Sequence, residues 1–324
     1  MTQLAKSREA LLALAIVVMT GLIALRFPDF VTPSNLVGTF NDTSPLIILA
    51  LGEMVVILTK SIDLSVAANL ALCGMVAAMM NEAGLPLPLI ILAAIMLGAV
   101  VGAINGLLVW KLDIPSIVVT LGTMTITRGV IFLISGGAWI NDHQMSELFK
   151  GFPRMSLIGL PVMSWIAIAV VVLLGVIVGR TALGRACFAV GGNPHAAVYT
   201  GIDVGRTQFL AFTLSGALAG LTGYLWIARY AVAYVDIANG FELDVVAACV
   251  IGGISIAGGI GSVSGAVLGA LFFGIIKNAL PVIGISPFWQ MAISGTAILI
   301  AVAVNAREGR RAGRVILRTA ETRS

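Results

Sequence analysis

Charge is what this sequence has least of. Only 10% of its 324 residues are Asp, Glu, Lys or Arg, against 59% apolar, where a soluble domain carries roughly 25% charge. That shortage excludes a chain made mainly of soluble mass. With a mean hydropathy of +1.06, the composition specifies an integral membrane protein. Cysteine is scarce as well: Cys73, Cys187 and Cys249 are scattered without metal-ligand spacing, so they read as reduced packing residues and no metal site is expected. The two histidines, His143 and His195, are expected on opposite sides of the membrane. No nucleophile–base pair or metal trio is visible, so the chain is not read as an enzyme. A Walker sequence is missing, and the 37 glycines include none that follow a strand in a βαβ unit, which excludes nucleotide binding by the chain itself. Residues 10–25 have the look of a signal-peptide core, but Arg26-Phe27-Pro28-Asp29 follows with no small-residue cleavage site. They are read as a first span.

What is present is a series of long apolar runs. At roughly 20 apolar residues per span, the expected spans are 11–27, 35–59, 64–80, 87–110, 115–135, 162–178, 207–228, 243–258, 263–282 and 288–305. Ten spans place both termini on one side. Connections on that side carry Lys6, Arg8, Lys60, Lys111, Arg180, Arg185, Arg206 and the six tail arginines from Arg307 to Arg323. The other side carries Arg26, Lys150, Arg154, Arg229 and Lys277. The bias makes both termini cytoplasmic. Net charge is +4, but this distribution reports orientation in the membrane and not nucleic-acid binding. Residues 1–305 therefore form one transmembrane domain, and 306–324 a basic cytoplasmic tail suited to the anionic inner surface. The longest outward connection, 136–161, is either a surface cap for a soluble partner or a solvated linker.

The polar interval 179–206 stands apart. It carries Arg180, Arg185 and Arg206, a backbone break at Gly191-Gly192, and then a short helix signal. Asn193 is the cap, Pro194 the first helical residue, and Ala196, Ala197, Val198 and Tyr199 make the turn before Gly201 stops it. So short a helix is marginal alone and calls for a cytoplasmic partner to dock against.

Polar residues inside spans each need a reason, since a mid-depth charge costs about 2.5–3.5 kcal/mol on insertion scales. Asn41-Asp42-Thr43-Ser44-Pro45 predicts a broken second span, of the kind that lines a transport path, unless the helix simply starts at Pro45. Asp63, in a tight link, is expected to cap the helix beginning at Leu64, with substrate contact as the alternative. Glu53 and Arg128 either pair with each other in the bundle or belong to the pathway. Glu242 and Asp244 suit the first turn of span eight. Asn69, Asn105, Gln208, Asn278 and Gln290 read as glue between helices. Gly252, Gly253, Gly258, Gly259 and Gly261 surround a reverse turn between spans eight and nine. Gly102 and Gly106 in span four echo Gly265 and Gly269 in span nine, a hint of a duplicated five-span unit with inverted repeats.

Four ordered motifs carry a resemblance. They are Ile62-Asp63-Leu64-Ser65-Val66, Ile117-Val118-Val119-Thr120-Leu121-Gly122-Thr123, the Gly191-Gly192-Asn193 to Gly201-Ile202 stretch, and Val250-Ile251-Gly252-Gly253 with Gly258-Gly259-Ile260-Gly261-Ser262-Val263. Together with Ser286-Pro287-Phe288-Trp289-Gln290 they make the chain, from 35 to 305, similar to the permease subunits of ribose/rhamnose/galactose-type ABC sugar importers. Pro194-His195-Ala196-Ala197-Val198-Tyr199 looks closest to the rhamnose-type branch. Lys60 stands where such permeases usually have glycine. The resemblance implies a coupling helix at 193–200, involving Gly191, Gly192, Asn193, Pro194, His195, Ala196, Ala197, Thr200 and Gly201, seated on an ABC ATPase subunit or double ATPase. It implies a periplasmic sugar-binding protein outside, and a second permease chain, identical or paralogous. ATP and Mg are then used by the ATPase, and no cofactor is bound by this chain. Asn41, Asp42, Glu53, Asn69 and Arg128 are the expected pathway residues for a neutral monosaccharide. The rival reading is an ion-coupled secondary transporter, which would use a broken span and a buried carboxylate but would not need a capped cytoplasmic helix.

Overall fold

The structure, a computed structural model, describes residues 2–282 and, beyond them, residues 284, 289, 292, 295 and 296. The helices in order are α1 (Thr2–Arg26), α2 (Pro33–Leu58), α3 (Val66–Glu82), α4 (Leu87–Leu112), α5 (Ser116–Ser135), α6 (Glu147–Arg154), α7 (Val162–Arg180), α8 (Ala182–Gly192), α9 (Pro194–Tyr199), α10 (Val204–Tyr230), α11 (Phe241–Ile251) and α12 (Val263–Val282). Seven of them, α1, α2, α4, α5, α7, α10 and α12, are long and apolar enough to cross a membrane, and α3 is a shorter apolar helix. The chain is a helical, polytopic membrane protein. The tenth expected span and the Ser286–Gln290 motif lie largely, and the basic tail wholly, outside the described residues.

The bundle is built around α2, whose residues from Thr43 to Leu58 are all buried. It is surrounded by α7, α8, α10, α11 and α12. The expected break in it does not occur: α2 runs unbroken from Pro33 to Leu58 with Pro45 inside. The polar side chains turn back on their own helix, Thr43 Oγ1 donating to the Thr39 carbonyl at 2.7 Å and Ser44 Oγ to that of Phe40 at 2.9 Å. Their polarity is met without unwinding, and a proline is tolerated where protein surrounds the freed carbonyl.

The discontinuity lies elsewhere. Span eight was expected over 243–258, yet α11 has 11 residues, a rise of about 16 Å, roughly half the hydrocarbon thickness. The chain then continues without helix to α12. Gly253, Gly258 and Gly259 take φ of +86°, +83° and +70°, the left-handed region that glycine alone enters freely. Main-chain bonds satisfy this stretch: Gly253 N–H to Val250, Ser255 N–H to Ile260 and Gly259 N–H to Leu58 of α2 at 3.1 Å. Non-helical backbone packed among apolar helices requires such protein partners. A Cβ at Gly252 would sit 2.2 Å from the Gly265 carbonyl, and Gly261 packs on Ile254 and Leu58.

Small residues set the other close contacts. On α4, Gly98, Gly102 and Gly106 face Phe209, Phe212, Gly216 and Gly220 of α10, so that a Cβ at Gly102 would lie 2.2 Å from the Phe212 carbonyl oxygen. On α12, a Cβ at Gly269 would likewise collide with the Ala248 carbonyl oxygen of α11. Backbones approach this closely only where side chains are missing.

The loops gather at two ends. At the first, the end of α2, the 59–65 link, α8, α9 and the 252–262 stretch meet. At the second, the 136–161 connection forms a cap: Ile140–Asn141 pairs antiparallel with Val232–Ala233, and Ser156–Leu157 with Leu160–Pro161. Ser146 caps α6 by accepting the Phe149 N–H. Phe149 is buried and meets Tyr224 edge-on at 5.1 Å, while Lys150 pairs with Asp142 at 3.0 Å and Glu147 at 2.8 Å. The connection is thus anchored to the bundle through Phe149, while residues 154–159 stay exposed.

Candidate docking site and translocation path

At the first end, α7 turns into α8 through Thr181, whose Oγ1 donates to Ile177 at 2.6 Å and accepts the Gly184 N–H. This helix was hidden inside the 179–206 interval, and it absorbs Gly191 and Gly192, so the break falls at Asn193. Gly191 is a contact point: a Cβ there would lie 1.8 Å from the Leu58 carbonyl and 2.2 Å from Gly259 N. Gly192 has nothing within 4 Å.

α9 forms as the residue types dictate. Asn193 is extended and its Oδ1 accepts the Ala196 N–H at 3.1 Å, with Pro194 at the first helical position. At the other end Gly201, φ +83°, donates to Val198, and Ile202 N–H reaches Ala197, a Schellman stop. Thr200 Oγ1 adds a bond to Ala197 at 2.8 Å. Asp203 then caps α10 through the Arg206 N–H. Only Ala197 of α9 is buried, whereas His195 and Ala196 are exposed, Val198 is 60% exposed and Tyr199 91%. Tyr199 was absent from the expected coupling residues, although its place at the helix's last position could have drawn notice. Among the described large apolar and aromatic side chains Tyr199 is the most exposed.

The 59–65 link is held by side chains from four helices, α2, α4, α5 and α10. Lys60 turns it at φ +65°, a conformation that favours glycine, and its Cγ lies against Gly258. Asp63 does not cap a helix at Leu64. Its carboxylate accepts the Ser65 N–H at 2.9 Å and the Ser65 hydroxyl at 2.6 Å, and α3 starts at Val66, because the two-residue turn satisfies the acid locally. Burial pushes the Asp63 carboxyl up, and the Ser65 bonds draw it partway back. Ser65 Oγ also accepts from Asn105 Nδ2 at 2.8 Å, and Thr123 donates to Asn105 Oδ1 at 2.6 Å. Gln208 Nε2 reaches Thr59 and Ser61 from α10.

The five expected pathway residues separate. Glu53 is fully buried and accepts the Asp63 N–H at 3.1 Å. Arg128 donates to the carbonyls of Val235 and Ile237 at 2.6 and 2.8 Å in the cap. The expected Glu53–Arg128 pair therefore does not form, each group having met main chain nearer to hand. Asn69 donates to Gly98 of α4, and Asn41 accepts from Ser164 of α7, so both are glue between helices. Asp42 lines a cavity, where Arg229 holds it at 2.8 Å. Asp244, in the first turn of α11, is paired with Lys277. Among the described residues no group of three or more His, Cys, Asp and Glu is placed to hold a metal.

The family model for the branched-chain amino acid transport system/permease component matches residues 35–302. The chain belongs to that family. It is 36% identical over 294 residues, 90% of its length and 92% of theirs, to the ribose import permease protein of Escherichia coli K12. To the autoinducer 2 import system permease protein of Enterobacter sp. strain 638 it is 36% identical over 308 residues, 95% and 89% of the two lengths. To the ribose import permease protein of Haemophilus influenzae it is 35% identical over 291 residues, 89% and 90%. These relatives are permease subunits and not enzymes, and their names speak for ribose and autoinducer 2, not for rhamnose. No solved structure matches.

Proposed function

We propose that this chain is the membrane subunit of an ATP-driven ABC importer for a neutral monosaccharide or similarly small polyhydroxylated solute, and that α9 is where a cytoplasmic ATPase drives it. The observation that carries the reading is α9 itself, capped by Asn193, stopped at Gly201 and presenting Tyr199 and Val198 bare. On this reading both termini face the cytoplasm of a bacterial cell, the bundle spans the inner membrane, and ATP and Mg belong to the partner ATPase. A periplasmic binding protein delivers the sugar to the cap, and a second permease chain, identical or paralogous, completes the path. The reading includes ten spans in two inverted repeats, in which the α2–α12 contact would correspond to the α4–α10 contact. Ribose, autoinducer 2 and rhamnose are the first solutes to offer. Against an ion-coupled carrier stands α9, a capped and exposed helix that such a carrier would not need.

The test co-expresses the chain with an ATPase and a binding protein of the same genome and reconstitutes the purified complex. Tyr199→Asp is expected to lower ATPase co-purification and ATP-driven sugar uptake by roughly tenfold or more, with the elution profile of the permease unchanged. Undiminished uptake from this variant, and from one with 193–200 replaced by Gly and Ser, would overturn the reading.

A further inference from the structure

A cavity of about 220 Å³ lies between α2, α10, α11 and α12 in the half of the bundle nearer the cap. Nothing in the importer reading requires it, since that reading runs the path between two permease chains. Its walls are of two kinds. Trp226, Tyr230 and Phe241 make an aromatic side, with Trp226 meeting Phe241 at 4.8 Å and Tyr230 at 5.2 Å. Asp42, Lys277 and Asn278 make a polar side. The charged groups are each neutralised, Asp42 by Arg229 at 2.8 Å and Lys277 by Asp244, and the Lys277 ammonium also lies 5.4 Å over the Phe241 ring. The cavity is thus rich in hydrogen-bonding groups yet carries no net charge to attract an ion. The Asn278 amide donates to Gly274 at 2.9 Å, which leaves its second N–H and its oxygen for other partners.

Flat apolar faces opposite donors and acceptors match a ligand with C–H on one side and hydroxyls on the other. The volume of about 220 Å³ has room for a sugar ring. We infer that this cavity is a binding subsite for a single neutral sugar ring inside each permease chain, apart from the path between chains. The inference rests on the sugar-importer reading and assigns that reading a resting place for its substrate.

Cys73, Cys187 and Cys249 are all buried, so an Asn278→Cys thiol is the one a membrane-impermeant methanethiosulfonate meets from the cap side. In proteoliposomes of the whole importer, D-ribose or L-rhamnose, whichever those vesicles take up, slows this labelling severalfold, while sucrose does not. Trp226→Leu raises the half-saturating concentration for uptake by roughly three- to tenfold, and Trp226→Phe restores it. Labelling indifferent to a sugar that the same vesicles transport, or an unchanged half-saturation in Trp226→Leu, overturns the subsite and leaves the importer reading standing. Vesicles that take up no sugar refute the importer reading and the subsite with it.

Discussion

A methyl group added at Gly191 would fall 1.8 Å from the Leu58 carbonyl oxygen, whereas one added at Gly192 meets nothing within 4 Å. Gly191→Ala is therefore expected to destabilise the protein by about 1–3 kcal/mol, the usual cost of overpacking. Gly192→Ala is expected to be neutral or slightly stabilising, since alanine is the better helix former. Thermal unfolding of the detergent-solubilised protein followed by tryptophan fluorescence checks this, and equal midpoints for the two variants would contradict it. The sequence offered no way to part the two, because identical neighbours differ only in what the fold brings beside them. Glu53 and Arg128 teach the same lesson: their opposite charges suggested a pair, but each found main-chain partners, Asp63 for one, Val235 and Ile237 for the other. Asn193 was legible because its cap is local, a bond to a residue three positions on.

At the scale of elements, the cap depends on Lys150, whose side chain is 6% exposed between Glu147 and Asp142. The bonds to Glu147 and then Asp142 hold its ammonium above the ordinary lysine range. A folded-state value raised above the unfolded one gives stability that is full below the unfolded value, about 10.4, and lost as pH climbs through the folded value. Protease cleavage within 136–161 is thus expected to stay slow at neutral pH and to accelerate only on strong alkalinisation. In Lys150→Met it should be fast at every pH, and a wild-type rate flat across that alkaline range would refute the role. The elements themselves were legible where apolar length and end signals agreed, as in α4, α5 and α12. They were misread where composition is blind to geometry. The run 243–258 has the make-up of a span, yet its glycines let its second half leave the helix after Ile251. The polar run from Asn41 to Ser44 has the make-up of a break, yet its hydroxyls bond back to the helix.

For the whole molecule, the α4–α10 seam is closed through glycine. Gly102→Val, with a Cβ 2.2 Å from the Phe212 carbonyl, is expected to force the helices apart and give a polydisperse, aggregating protein on size-exclusion chromatography. Gly122→Val on α5, where nothing lies within 4 Å, should elute as the wild type does. Matching profiles for the two would show that the seam is not what holds the bundle. The seam was half-visible in the spacing of Gly102 and Gly106, but α10's share of it was not, because partners distant along the chain leave no periodic trace. One junction carries further than its size suggests. Where α8 ends, Gly191 touches Leu58 and Gly259 with main chain alone. Such a joint has no rotamers to absorb a push, so a displacement imposed on α9 would arrive at the buried central helix undamped, like a rod bearing directly on its seat.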